Sequence, residues 1–190
     1  MILASKSPRR KEILESMGFD LDIIVKEVEE VSEEKLPEDW AMDIAKKKAL
    51  AVAYENQDKW VLGADTAVIF QGEFLGKPKD EKEAFEVLSR LSGKEHEVIT
   101  GVSLINLKKN INVSFFESTK VYFKNIDSSE IMWYIGTKEP MDKAGSYGIQ
   151  GKGAIFVDKI EGDFFNVMGF PISRFYDKLK ELNVEELFKL

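Results

Sequence analysis

Two observations on the sequence predict an α/β fold. In the first half of the chain, short apolar segments typical of buried strands alternate with segments of helical periodicity. In the second half, two long β segments within 95–123 flank the turn residues 108–110, which predicts a hairpin rather than another parallel crossover. We therefore expect a mixed sheet flanked by helices, with the hairpin belonging to a second lobe.

The first strand and helix follow from signals at the N-terminus. An apolar strand is expected over 1–4 and a helix over 8–17. Ser7 is a favourable N-cap, and Pro8 suits the first helical position, where its missing N–H has no intrahelical partner to lose. Gly18 is expected to close the helix.

The next elements lead to the centre of the predicted sheet. Residues 19–28 alternate apolar and polar side chains, which predicts a half-buried strand running into an acidic loop. Pro37 marks the start of a helix that continues to about residue 56. Residues 60–70 form a buried strand, which residues 71 and 72 end in a tight turn.

Two capping patterns and several glycines organise the remainder. Aspartates at 80 and 127, each followed three residues later by glutamate, predict helices that end near 93 and 135. A loop with four glycines over 143–153 is expected to let the backbone approach a ligand. Strands are then expected over 154–159 and 164–168, with a terminal helix starting at Pro171.

Composition excludes several classes of protein. A length of 190 residues predicts one domain over 1–190, with two lobes. A net charge of −7 argues against a nucleic-acid binder, which needs a broad positive face. The absence of cysteine excludes disulfides and thiol nucleophiles. Because Asp65 interrupts the longest apolar segment, we expect no membrane association and a cytoplasmic protein.

A candidate phosphate site lies at the start of the first helix. Ser5, Ser7, Arg9 and Arg10 surround a helix N-terminus, where free N–H groups and the helix dipole favour an anion. The guanidinium groups add bidentate donors. Taken alone, the motif fits a capped surface helix with solvated arginines equally well.

Asp65 and Lys48 are unusual in their surroundings. Asp65 lies within an apolar strand, where an unpaired carboxylate is costly, so it is either a functional group or a residue at the strand end. Lys48 falls on the apolar face of the helix that begins at Pro37. A lysine there either binds an anion or extends its ammonium to solvent.

Together these charges suit a nucleotide. Arg9, Arg10, Lys48 and the loop residue Lys77 would balance a polyphosphate, while the carboxylates of Glu30 and Asp65 suit a divalent cation, Mg²⁺ or Mn²⁺. The chain has no phosphate-binding P-loop sequence, and its single histidine, taken as structural, leaves no histidine-based catalytic triad.

Five segments give the chain a resemblance to the Maf family of nucleoside triphosphate pyrophosphatases that covers nearly its whole length. They are residues 3–10 (LASKSPRR), 63–66 (GADT), 76–78 (GKP), 142–151 (DKAGSYGIQG) and 166–171 (NVMGFP). The resemblance implies an elongated, twisted mixed sheet with two lobes around a central cleft, as in inosine-triphosphatase-like proteins. It also implies cleavage between the α and β phosphates.

The resemblance also implies roles for individual residues. Asp65 would be the catalytic carboxylate and would share a divalent cation with Glu30, although an alignment shifted by one residue would select Glu29 instead. The phosphate-binding residues implied are Ser7, Arg10, Lys48 and Lys77, with Ser5 and Lys143 as further candidate contacts.

Three positions match the branch of the family that acts on dTTP and UTP. They are Arg9 after the proline, Thr66 after the aspartate, and Gln150. A neutral Gln150 amide can both donate and accept, as the edge of uracil or thymine requires.

The expected function is hydrolysis of dTTP and UTP, and of modified pyrimidine nucleotides, which keeps unwanted nucleotides out of nucleic acid. The alternative is a nucleotide-binding regulator of cell division or septum formation without significant turnover. The expected partner is a nucleoside triphosphate, with no nucleic acid. A homodimer is an expectation from the family alone.

Overall fold

The computed structural model describes residues 1–184 and Leu187, and its mixed α/β architecture is built on a seven-stranded sheet. The expected domain over 1–190 includes residues 185, 186 and 188–190, which lie outside the described residues. The strands are β1 (Ile2–Leu3), β2 (Asp22–Ile23), β3 (Val61–Phe70), β4 (Glu73–Phe74), β5 (Glu95–Asn106), β6 (Ile111–Phe123) and β7 (Val157–Glu161). The α-helices are α1 (Pro8–Ser16), α2 (Pro37–Ala53), α3 (Glu81–Leu91), α4 (Ser128–Gly136), α5 (Phe164–Met168) and α6 (Ile172–Glu181). Three short 3₁₀ helices cover Glu139–Asp142, Ala144–Ser146 and Gly151–Phe156.

The sheet contains both parallel and antiparallel pairs, which confirms the predicted mixed sheet. Its strand order is β2-β1-β3-β5-β6-β7, and β4 pairs with β3. β1 runs parallel to β2 and to β3, whereas the β3–β4 and β6–β7 pairs are antiparallel. Because Leu3 pairs with Leu62, the chain leaves β1 close to the part of β3 that contains Asp65.

The chain divides into two compact units. The first unit comprises Met1–Asp65, Thr100–Glu117 and Gly169–Leu190, and the second comprises Thr66–Ile99 and Ser118–Met168. Strands β3, β5 and β6 each contribute residues to both units. Each unit has its own apolar cluster: one includes Ile2, Val52 and Val61, and the other includes Leu88 and Phe156. None of the helices in the described residues has the length and apolar character needed to cross a membrane.

Helix α2 packs directly against β3 in the first unit, at a glycine. A Cβ atom at Gly63 would lie 2.3 Å from the carbonyl oxygen of Ala45 and 2.9 Å from the backbone nitrogen of Ala49. Only glycine permits this approach. Since alternate strand residues share a face, Gly63 and Asp65 both point toward α2.

The capped helices agree with the sequence prediction. The side chain of Asp80 accepts from Glu83 N at the start of α3, and Asp127 forms a capping box with Glu130 at the start of α4. These interactions are local, so they depend on residues a few positions apart.

The strand predicted over 164–168 is wrong, because these residues form helix α5. Asp163 acts as a cap: its Oδ1 accepts from Phe165 N at 2.7 Å, and its carbonyl accepts from Val167 N at 3.3 Å. Within the helix, Asn166 is buried and its Nδ2 donates to Val98 O at 2.9 Å. The cap and this buried amide outweigh the strand preference of the apolar sequence.

Three other predicted strands differ in their bounds, and the one expected over 1–4 is reduced to Ile2–Leu3. Of residues 19–28, only Asp22 and Ile23 form a strand, because their neighbour β1 is itself two residues long. The strand predicted over 154–159 begins at Val157, since the preceding residues belong to a 3₁₀ helix.

Candidate functional site

Arg10 is fixed by hydrogen bonds at the start of α1. Its Nε donates to Gly169 O at 2.8 Å, and its Nη1 donates to Ser5 Oγ at 3.0 Å. Ser5 Oγ also accepts from Ser7 N at 3.2 Å, and Ser7 caps the helix by accepting from Arg10 N at 3.4 Å. The guanidinium is therefore held in place before any ligand binds.

Nearby charges act on this buried guanidinium. Burial lowers the pKa of Arg10 below its ordinary value, and the positive charge of Arg9 acts in the same direction. The negative charges of Asp65 and Glu30 oppose that shift and favour the charged form. Both predicted carboxylates thus lie within electrostatic range of Arg10, in the same compact unit.

Lys48 joins these two carboxylates. Its Nζ lies 2.6 Å from Asp65 Oδ1 and 2.6 Å from Glu30 Oε1. The contact with Asp65 follows from the packing at Gly63, because Lys48 lies on the face of α2 that covers β3. The Lys48 and Asp65 side chains are 17% and 12% exposed, whereas Glu30 is 56% exposed. The cluster is thus nearly buried at Asp65 and open at Glu30.

Helix α2 also holds the loop that carries Glu30. Lys47 Nζ donates to Val31 O at 2.7 Å, and Ser32 Oγ donates to Asp43 Oδ2 at 2.6 Å. Asp43 and Lys47 form an i,i+4 ion pair at 2.7 Å. Burial alone would raise the pKa of Asp43, but hydrogen bonds from Lys47 and Ser32 outweigh it and the pKa is lowered. Sequence reasoning missed these anchors, although the i,i+4 spacing was a visible signal.

The remaining predicted residues belong to the second unit. Thr66 is partly exposed on β3, and Lys77 is exposed in the loop before α3. Gly145 N donates to Leu75 O at 3.0 Å and to Gly76 O at 3.2 Å. These backbone bonds join the loop of Lys77 to the glycine-rich loop that contains Gln150.

Lys143 is engaged within its own loop. Its Nζ donates to Glu139 O at 2.6 Å and lies 2.6 Å from Asp142 Oδ1. Its side chain is 13% exposed. In this arrangement the Lys143 ammonium stabilises its own loop. The sequence suggested Lys143 as a phosphate contact, and that role stays a prediction.

Glu30 and Asp65 are the residues of this cluster that could hold a divalent cation. Across residues 1–184 and Leu187, no three histidine, aspartate or glutamate side chains are grouped so as to hold a metal ion. Glu30 and Asp65 nevertheless converge on a single cation, the Lys48 ammonium. One or two carboxylates completed by phosphate oxygens and water is the set that Mg²⁺ uses in nucleotide sites, so these residues fit such an ion.

Similarity to known proteins shows which family of proteins this chain belongs to. The chain belongs to the Maf family, since a family model described as Maf-like protein matches residues 1–182. This confirms the resemblance seen in the sequence. Curated relatives named dTTP/UTP pyrophosphatase include one from Bacillus cereus (strain ZK / E33L), 53% identical over 97% of this chain and 96% of that protein. A Bacillus anthracis protein of that name is 52% identical over the same shares.

Two solved structures are more distantly similar. The Ham1 protein of Staphylococcus aureus has a TM-score of 0.48 at 15% identity, covering 65% of this chain and 71% of that one. A nucleoside-triphosphatase / dITP/XTP pyrophosphatase from Mycobacterium abscessus has a TM-score of 0.44 at 16% identity, covering 98% and 96%.

Proposed function

We propose that this protein is a nucleoside triphosphate pyrophosphatase that converts dTTP and UTP, and modified pyrimidine analogues, to the monophosphate and pyrophosphate. The observation that carries the proposal is the cluster in which Lys48 Nζ contacts both Glu30 and Asp65, within electrostatic range of the buried Arg10. The relatives named dTTP/UTP pyrophosphatase support the choice of substrate.

In this proposal three cationic side chains and one serine bind the triphosphate. Ser7, Arg10, Lys48 and Lys77 contact phosphate oxygens and offset the charge that develops at the attacked phosphorus. Arg10 suits this role because its guanidinium is already fixed by Gly169 O and Ser5 Oγ, so little side-chain entropy is lost when a phosphate binds.

Asp65 is the proposed catalytic residue. Its carboxylate accepts a proton from the attacking water, the new P–O bond forms, and the bond between the phosphorus and the α,β-bridging oxygen breaks. The bridging oxygen leaves with pyrophosphate. Lys48 holds the Asp65 carboxylate in one orientation through its 2.6 Å contact.

Glu30 and Asp65 are the residues proposed to hold a divalent cation, Mg²⁺ or Mn²⁺. When bound, such an ion neutralises phosphate charge and lowers the pKa of a bound water. Charge balance supports it: the proposed site sets the four cations Arg9, Arg10, Lys48 and Lys77 against the two carboxylates, and this surplus of two positive charges is too small to balance a fully ionised triphosphate.

Arg9, Thr66 and Gln150 are the proposed base-selecting residues. A Gln150 amide offers one donor and one acceptor to the edge of a pyrimidine. We further propose that the enzyme acts on the cytoplasmic nucleotide pool. We also propose that it works as a homodimer, and sedimentation velocity would test this oligomeric state.

The proposal is tested with a panel of purified nucleoside triphosphates, with Mg²⁺, with Mn²⁺ and with a chelator, measuring both products. We expect dTTP and UTP to give monophosphate and pyrophosphate in equal amounts, and activity to disappear with the chelator. Release of inorganic phosphate together with the nucleoside diphosphate would contradict the proposed reaction. Tight nucleotide binding without turnover would instead support a regulatory, non-catalytic protein.

A further inference from the structure

The loop that carries Gln150 is held by two residues to which the proposed function gives no role, Tyr134 and Glu139. Gly148 N donates to the Tyr134 hydroxyl at 3.1 Å. On the other side of Gln150, Lys152 N donates to Glu139 Oε2 at 3.1 Å. The two donors, Gly148 and Lys152, lie two residues before and two residues after Gln150.

Tyr134 and Glu139 are also hydrogen-bonded to each other. The Tyr134 hydroxyl donates to Glu139 Oε1 at 2.9 Å, and Gly153 N donates to the same oxygen at 3.2 Å. The hydroxyl therefore accepts from the loop and donates to the carboxylate at once. A single network closes around the five-residue segment 148–152, with Gln150 at its centre.

The surroundings make this network rigid. Tyr134 is fully buried, and its ring packs edge-on against Phe156 with centroids 5.1 Å apart. Burial alone would raise the pKa of Glu139, but the N–H groups of Lys152 and Gly153, the Tyr134 hydroxyl and the charge of Lys143 outweigh it and lower the pKa. The carboxylate is thus an ionised acceptor at neutral pH.

The loop lies directly on this carboxylate. Gly151 has φ = +77°, and a Cβ atom there would lie 2.9 Å from Glu139 Oε2. Any larger residue at position 151 would displace the loop from the Glu139 carboxylate and would also strain the backbone. Gln150 precedes this contact and is partly exposed, so its backbone is fixed while its side chain remains accessible.

We propose that Tyr134 and Glu139 are positioning residues for base selection, which hold the backbone on both sides of Gln150 so that its amide meets the pyrimidine edge in one orientation. The inference rests on the proposed function, because it takes Gln150 as a base contact. It adds two residues that would touch neither base nor phosphate.

The test compares kcat/KM for dTTP with kcat/KM for dGTP in two variants. Tyr134→Phe removes the shared hydroxyl, and Glu139→Gln removes the charge at nearly constant volume. Because the groups around Asp65 are unchanged, we expect kcat for dTTP to stay within about twofold while its KM rises. The preference for dTTP should fall on the order of 10- to 100-fold, as for other small misplacements of a binding group.

A double-variant cycle separates positioning from general structural support. Gln150→Ala should reduce the preference by itself, and adding Tyr134→Phe to it should change the preference no further, because the hydroxyl acts through Gln150. Additive losses in the double variant would overturn the inference.

Tyr122 and Glu161 provide the matched control, since the Tyr122 hydroxyl donates to Glu161 Oε2 at 3.0 Å in the same unit. Tyr122→Phe should leave the preference unchanged. If Tyr134→Phe fails to fold in a thermal melt, Glu139→Gln carries the test, and an unchanged preference in it overturns the inference. A wild-type protein inactive on every triphosphate would overturn the proposed function itself, and the inference with it.

Discussion

His96 is the only histidine in the chain, and the fold buries it among aromatic side chains of the second unit. Its Nε2 lies 2.7 Å from the Tyr147 hydroxyl, and its ring packs edge-on against Phe123 and Tyr147. A charged ring would carry an N–H at Nδ1, which has no hydrogen-bond partner among the described residues. Burial accordingly lowers the pKa of His96 to about 4.

This burial predicts a pH-dependent stability. The unfolded chain takes up the proton near pH 6.5 and the folded chain only near pH 4, so stability is full above pH 6.5 and falls as the pH decreases between these values. The contribution lost by pH 5 is about 2 kcal/mol, at 1.36 kcal/mol per pKa unit. Urea denaturation at pH 7.5 and pH 5 measures it.

His96→Gln is the control, because carboxylates also titrate in this range. The variant should lose less stability than the wild type between the two pH values. The single histidine signal in an NMR titration gives the pKa directly, and a midpoint near 6.5 in the folded protein would contradict the account.

At the scale of secondary structure, the contact between α2 and β3 brings Lys48 to Asp65. The contact needs a residue without a side chain at position 63, where a Cβ atom would meet backbone atoms of Ala45 and Ala49. Backbone atoms in the middle of a helix cannot move aside as the end of a flexible side chain can. The geometry of the proposed catalytic cluster therefore depends on a glycine that has no role of its own in the proposed chemistry.

Gly63→Ala should destabilise the protein by about 1–3 kcal/mol, the usual effect of overpacking a core. Because Gly63 and Asp65 share a strand face, turnover should fall as well. Urea denaturation and a dTTP hydrolysis assay measure the two effects. Gly136→Ala is the matched control, since a Cβ atom there has no neighbour within 4 Å. Equal stability of the two variants would refute the role given to Gly63.

Elements with local signals were predictable, and elements that depend on distant partners were not. The helices capped by Asp80 and Asp127 follow from residues three positions apart. The strand predicted over 164–168 was wrong because the helix there is stabilised partly by Asn166, whose amide reaches Val98 O across 68 residues of sequence. A periodicity argument contains no information about such a partner.

At the scale of the whole molecule, the candidate site of the first unit is assembled from widely separated parts of the chain. The sequence indicated Arg10, Lys48 and Asp65 individually, because a charge in an apolar or helix-initiating context is unusual. It could not show that Arg10 Nε bonds to Gly169 O, 159 residues away, or that one ammonium joins Glu30 to Asp65. Those contacts arise from tertiary packing.

The central claim is that the Asp65 carboxylate performs the chemistry within this cationic cluster. The most direct test measures pyrophosphate release from dTTP by the wild type and by Asp65→Asn, together with dTTP binding and the thermal unfolding of both. The change removes one charge at nearly constant volume, and the Asn oxygen can still accept from Lys48. We predict a folded protein that binds dTTP and loses turnover by about 10²- to 10⁴-fold. Undiminished turnover in that variant would contradict the account.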